Sequence, residues 1–269
     1  MSLPRPVPVA ISRPDPRPSQ QSSRTPCSAE SAIASGHKTL LGTPVRFVAI
    51  AGLVLGAAGH VQAGEGARPF ADPARWVIEQ MPGGTVTRRG DALEISDKAG
   101  CTVWWREKLT APVAISYDVT VLARGGPNDR VSDVNCFWMA RDSRSPAAPF
   151  APGNARSGRF SDYDSLFTYY VGYGGNNNTT TRFRRYDGTA ARPLLPEHDL
   201  AAPRFLLQPN RVLHVRLVAR RGQAEFWCDG ERVFAFTDPA PLTEGWFALR
   251  TVNSHLLIEN LRIEALPPE

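Results

Sequence analysis

The sequence predicts an all-β protein, a sandwich or barrel of short antiparallel strands. Three observations carry that prediction. Apolar and polar residues alternate with period two, as in Val113-Ala-Ile-Ser-Tyr-Asp-Val-Thr-Val121 and Val212-Leu-His-Val-Arg-Leu-Val-Ala-Arg220. Tight-turn pairs punctuate the pattern, among them Arg221-Gly222 and Asp229-Gly230. Beyond residue 63 no amphipathic pattern of three helical turns is legible.

The elements follow in chain order. Residues 1–36 are rich in Pro, Ser and Arg and lack apolar periodicity. They read as a disordered leader, or as sequence ahead of a misassigned start near Val45. Arg46 then precedes the apolar run Phe47–Ala58, which leads to the small-x-small triplet Val61-Gln-Ala63. Residues 37–63 therefore read as a secretory signal peptide cleaved after Ala63. The apolar run is shorter than the roughly 20 residues of a spanning helix. The expectation is an exported protein, periplasmic or extracellular, with no stable membrane span after cleavage. Residues 64–269 then form a single domain, a size at which sandwiches stay undivided.

Thirteen strands are expected in that domain, each short and rich in aromatic or β-branched residues. They are Trp76–Gln80, Gly84–Arg88, Ala92–Ser96, Thr102–Lys108, Val113–Leu122, Val134–Arg141, Leu166–Tyr173, Thr179–Tyr186, Val212–Arg220, Ala224–Cys228, Arg232–Thr237, Trp246–Arg250 and His255–Ala265. Two long connections, Arg141 to Asp164 and Asp187 to Asn210, are rich in Pro, Gly and charge. Loops of that length are commonly functional, and these two flank one hairpin on either side, as walls of a cleft would.

Charge excludes one class of partner. The chain is formally +5, but residues 1–63 hold six cationic and two acidic residues, a surplus of four. The remainder is nearly neutral, so no nucleic-acid partner is expected. Cys101, Cys136 and Cys228 sit in apolar strand-like runs and read as small buried hydrophobes; an exported protein can also pair two of them. No Cys or His spacing suggests zinc.

The flanked hairpin is Leu166-Phe-Thr-Tyr-Tyr-Val-Gly-Tyr-Gly-Gly-Asn-Asn-Asn-Thr-Thr-Thr-Arg-Phe-Arg-Arg-Tyr186. It concentrates four tyrosines, three asparagines and three arginines. Aromatic faces stack on sugar rings, Asn amides pair with hydroxyls, and Arg forks bind carboxylates two-pronged. The segment points to a polysaccharide or oligosaccharide partner carrying acid groups. Alternation places Tyr169 and Tyr173 on one face of the first strand, and Arg182 and Arg184 on one face of the second. The expectation pairs these four as the catalytic group, with tyrosinate favoured by the neighbouring arginines. Substrate contacts are expected from Asn135, Arg141, Trp105, Tyr170, Asn176, Asn178, Arg185, Tyr186 and His255. Asn135 and Arg141 share parity on one strand; Trp104 and Trp105 point to opposite faces, so one of them is open to the cleft. His214, alternating with core residues, reads as a satisfied buried or edge histidine.

The region from Arg211 onward, with its Cys228-Asp-Gly-Glu-Arg232 turn and closing Leu257-Ile-Glu-Asn-Leu-Arg-Ile263, resembles the C-terminal half of concanavalin A-like jelly rolls. The likeness extends over the domain and implies a two-sheet antiparallel jelly-roll sandwich. The Thr168–Asp187 segment further resembles an uncharacterised exported bacterial family of that fold associated with plant-polysaccharide breakdown. Glucanases of the fold carry Glu-x-Asp-x-(x)-Glu on one strand, and retaining hydrolysis needs carboxyls about 5–5.5 Å apart. No such array is present, so glucanase-type hydrolysis is not expected.

Two chemistries fit what is present. A lyase would abstract the proton α to a uronate carboxylate, with Tyr or His as base and Arg or Asn neutralising the acid. A non-catalytic lectin-like module would use the same aromatics and amides without a base. A structural envelope protein, the third class, would have no sugar affinity. No cofactor is expected; calcium is common in the fold, but Asp129, Asp133, Asp162 and Asp164 do not make a specific loop for it.

Overall fold

The computed structural model describes residues 68–268. The leader and signal-peptide expectations for residues 1–63 lie outside the described residues. Fifteen strands run in chain order: β1 Trp76–Gln80, β2 Thr85–Arg89, β3 Ala92–Asp97, β4 Cys101–Trp105, β5 Leu109–Thr110, β6 Val113–Val121, β7 Val134–Asp142, β8 Leu166–Gly174, β9 Thr180–Asp187, β10 Asp199–Leu200, β11 Val212–Arg220, β12 Gln223–Cys228, β13 Glu231–Thr237, β14 Glu244–Thr251 and β15 Ser254–Ala265. All thirteen expected strands are present. The two-residue strands β5 and β10 were not anticipated, being too short to show a period.

The strands form two antiparallel sheets. The first runs β1-β4-β14-β7-β8-β9-β10, with β5 added to β14; the second runs β13-β12-β11-β6-β15-β3-β2. The core lies between them, where Trp105, Val103, Trp138, Tyr169, Val171 and Phe183 meet Ile115, Leu217, Phe226 and Ile258. The turns behave as their sequences require: Gly222, Asp229 and Gly230 all adopt positive φ. Asn176, Asn177 and Asn178 lie consecutively in the left-handed region, which explains the Asn run at the tip of the β8–β9 hairpin. Cys101, Cys136 and Cys228 are buried free thiols, so the small-hydrophobe reading holds and no pair forms among them.

The outer face of the first sheet differs from an ordinary solvated face. A second apolar cluster sits there: Trp104, Phe137, Tyr163, Tyr170, Tyr186 and Trp246, with Phe150 and Phe160 packed on it. Phe150, Phe160 and Tyr163 come from the loop between β7 and β8, which folds back over the sheet.

Candidate functional site

The site is built on cross-strand rows of that outer face. Residues directly opposite one another in adjacent strands share a face. Register places Glu79, Thr102, Arg250, Asn135, Gly172, Arg182 and Asp199 in one row across seven strands. The next row reads Val77, Trp104, Ala248, Phe137, Tyr170 and Arg184. A polar row thus lies beside an aromatic one.

The β7–β8 loop covers the Glu79 half of the polar row. There Arg156 of the loop, buried against the sheet, donates to Glu79 at 3.0 Å and to Asp142. Trp104 Nε1 and the Tyr163 hydroxyl both donate to Glu79 Oε2, at 2.8 and 2.9 Å. Arg250 is fully buried and donates to Thr102 Oγ1 at 2.7 Å and to the Gly158 carbonyl at 3.0 Å. Its guanidinium stacks over Tyr163 and Phe160, 4.7 and 4.9 Å from their ring centroids. Among the described residues Arg250 forms no ion pair with a carboxylate.

The other half of the row is open. A cleft of about 530 Å³ is lined by Asn135, Tyr170, Gly172, Arg182, Arg184 and Phe160, with Arg130, Asp133, Asn176 and Asn177 at one rim. Its volume lies in the range of about 300–1,000 Å³ typical of small-ligand sites. Gly172 forms the floor: a Cβ there would stand 2.9 Å from the Tyr170 hydroxyl and 3.4 Å from Asn135 Oδ1. The missing side chain is what lets Tyr170 lie across the strand. Asn135 Oδ1 is buried without a protein partner. Arg182 is held by Asp199 in a two-pronged pair, at 2.8 and 3.0 Å. Arg184 donates to the Arg192 carbonyl and has no carboxylate partner among the described residues.

The expected grouping is corrected by register. Tyr169 pairs with Arg185, and Tyr170 with Arg184. A one-residue difference in pairing moves every side chain to the opposite face. Tyr169 and Tyr173 therefore point into the core, away from Arg182 and Arg184. The Tyr169 hydroxyl donates to Asp238 at 2.9 Å, and Arg185 braces the same carboxylate at 3.1 Å, so both tie down the β13–β14 crossover. Tyr173 packs on Phe226. The expected tyrosinate is also corrected. Burial raises the hydroxyl pKa of Tyr169, Tyr170 and Tyr173, and pushes Tyr186 up to about 12. Desolvation outweighs the arginine charges.

Of the expected substrate contacts, Asn135, Tyr170 and Asn176 line the cleft. Arg141 does not: a bulge between Trp138 and Arg141, with Met139 at φ +53°, reverses parity and sets Arg141 opposite Phe167 on the inner side. Trp105 faces the core against Trp76, with Arg75 stacked 4.1 Å over its ring; Trp104 takes the outer face but is buried under the loop. Asn178 accepts from and donates to the Leu207 backbone, locking the hairpin tip. Tyr186 is buried in the outer cluster. His255 belongs to the second sheet, its ring held between Asp129 at 2.7 Å and Glu94 at 2.8 Å. His214 is satisfied by Asp118 at 2.6 Å, but on an exposed face.

Sequence reasoning missed Gly172, Phe160, Arg130 and Arg250. A lone glycine inside an aromatic strand was the available signal for the first. The acids weighed for calcium all have partners: Asp129 with His255, Asp133 with Arg130, Asp162 with Ser157 and Asp164 with Arg192. Among the described residues no group of three or more His, Cys, Asp or Glu side chains is placed to hold a metal ion, and no helix is long and apolar enough to cross a membrane.

Sheet order and register define a galectin-like jelly roll of the concanavalin A type. A protein of unknown function with a galectin-like fold from Bacillus subtilis superposes with a TM-score of 0.58 at 16% identity, over 75% of this chain and 96% of that one. The carbohydrate-binding module CBM66 from Bacillus subtilis gives 0.48 at 12% identity, over 71% and 96%. The lumenal domain of VIP36, in a form bound to Ca2+ and mannose, gives 0.49 at 13%, over 72% and 84%. Residues 95–261 match the domain of unknown function DUF6250, and the chain belongs to that family. No curated protein matches the sequence.

Proposed function

We propose that the protein is an exported carbohydrate-recognition protein whose cleft binds an acidic, uronate-containing saccharide. The observation that carries this reading is a guanidinium group in the cleft wall, Arg184, that has no carboxylate partner among the described residues and stands near the unpartnered Asn135 Oδ1. A cation left without an acid is free to take an anion in a charge-assisted hydrogen bond. Asn135 Oδ1, buried and unpartnered, accepts from a sugar hydroxyl, and the Tyr170 ring and hydroxyl supply an apolar face and a donor.

A second reading is β-elimination on the same ligand. It is favoured by the Tyr170 phenol standing opposite Arg184, which puts a proton-transfer group beside a carboxylate-neutralising one. Burial holds that phenol protonated near neutral pH, so recognition is the better supported of the two. The test is incubation with acidic and neutral polysaccharides, read by gel retardation and ultraviolet absorbance. Retardation by uronate polymers alone supports recognition. Rising absorbance from an unsaturated uronate establishes elimination. Neither signal would return the protein to the structural-envelope class.

A further inference from the structure

The outer face of a jelly-roll sheet can hold a through-groove, in which a polymer lies along or across the strands. Here the cleft is closed at both strand ends. At one end Phe160 forms the wall. Arg192 stacks over its ring, 4.1 Å from the centroid, and donates to Asp164 at 2.8 Å. The Arg192 carbonyl in turn accepts from Arg184. Arg192 thereby clasps the β9–β10 connection to the β7–β8 loop. Past this wall along the strands the sheet face carries Tyr186 and Leu166 of the outer apolar cluster.

At the opposite end a second arginine closes the rim. Arg130 donates to the carbonyls of Val252 and Asn253, at 2.8 and 2.9 Å, and to Asp133 at 2.8 Å. It also donates to Asn177 at the hairpin tip. One side chain thus joins the β14–β15 turn, the approach to β7 and the tip of β8–β9 into one continuous edge. Across the sheet the cleft meets the loop over Arg250 on one side and the Arg182–Asp199 pair on the other. These are the boundaries of a pit.

We infer that the site takes the terminal acidic unit of a saccharide chain and excludes internal units. This rests on the acidic-saccharide reading above. An internal uronate needs an exit for the chain on both sides of the bound ring, and the two arginine-held walls leave none along the strands. A terminal uronate needs one exit, with its carboxylate against Arg184.

The experiment uses galacturonate oligomers of defined length, from dimer to hexamer, and long defined fractions of polygalacturonate. Titration calorimetry gives stoichiometry and affinity per chain. The expected result is a stoichiometry that stays at one protein per chain at every length, with affinity per mole of chain varying less than about threefold. Free galacturonate should compete with every length. Stoichiometry rising in proportion to length would overturn the inference while leaving acidic-saccharide recognition intact. No binding of monomer, oligomer or polymer would overturn both.

Discussion

The two halves of one polar row use the same kinds of residue to opposite ends. On the Glu79 side, Arg156 meets Glu79 and Asp142, and Trp104 and Tyr163 complete the carboxylate. On the Asn135 side, Arg184 meets only a carbonyl, and Asn135 Oδ1 meets nothing. The floor is the same sheet and the strands are the same strands. What differs is whether the chain supplies the partner. Charges answered from within hold the loop down; those left unanswered are available to a ligand. A partly exposed cation that meets only a carbonyl adds little to stability, so such a residue has its use elsewhere.

The comparison can be broken most sharply at Arg156. Arg156→Ala leaves Glu79 buried without its cation and Asp142 with Arg144 alone, and should cost about 3–5 kcal/mol in urea unfolding. A loss below about 1 kcal/mol would mean the covered half is not held by its charges.

Acid should act on the same half. Burial alone would raise the Asp142 carboxyl, but hydrogen bonds from Arg144 and Ser165 and the Arg156 charge hold it below the usual carboxylate range. A folded-state pKa below the unfolded value of about 3.9 contributes stability that is fully present above that pH. It is lost as pH falls through the folded value. The acid limb of the stability curve should therefore be steep below about pH 4 and flatter in Asp142→Asn.

Arg184→Ala should behave in the opposite way to Arg156→Ala. Folding stability should move by no more than about 0.5 kcal/mol. Affinity for a uronate oligomer should fall by about 1.5–3 kcal/mol, the worth of a charge-assisted hydrogen bond, which is roughly ten- to a hundredfold in Kd. Arg182→Ala sharpens the contrast within the open half. Its fork is already occupied by Asp199 and the pair is partly exposed. Removing it should cost under about 1 kcal/mol of stability and weaken binding only a fewfold.

The strands were legible because alternation survives in runs such as Val113–Val121, where each residue's face is fixed by parity. Parity within a strand does not say which residue stands opposite. Tyr169 was expected on the side of Arg184, and the register across the left-handed Asn176–Asn178 turn sets Tyr170 there instead. The Met139 bulge undid the expected kinship of Asn135 and Arg141, because one extra residue inverts parity beyond it. The Arg156–Glu79 pair spans 77 positions, and no local pattern announces a contact at that range. Cleft residues on strands were thus partly readable, whereas those brought by loops, Phe160 and Arg130, were not.

The three thiols have a practical use that follows from their burial. Cys101 lies on β4, Cys136 on β7 and Cys228 on β12, so both sheets carry at least one. Burial pushes the Cys136 thiol up to about 12 and Cys228 to about 11, which leaves almost no thiolate in the native protein. An alkylating reagent must wait for a strand to open. Mass spectrometry of the labelled chain would then time the opening of each strand separately, without an added probe. Because no cross-link forms among the three, the domain should fold as readily in reductant as in air.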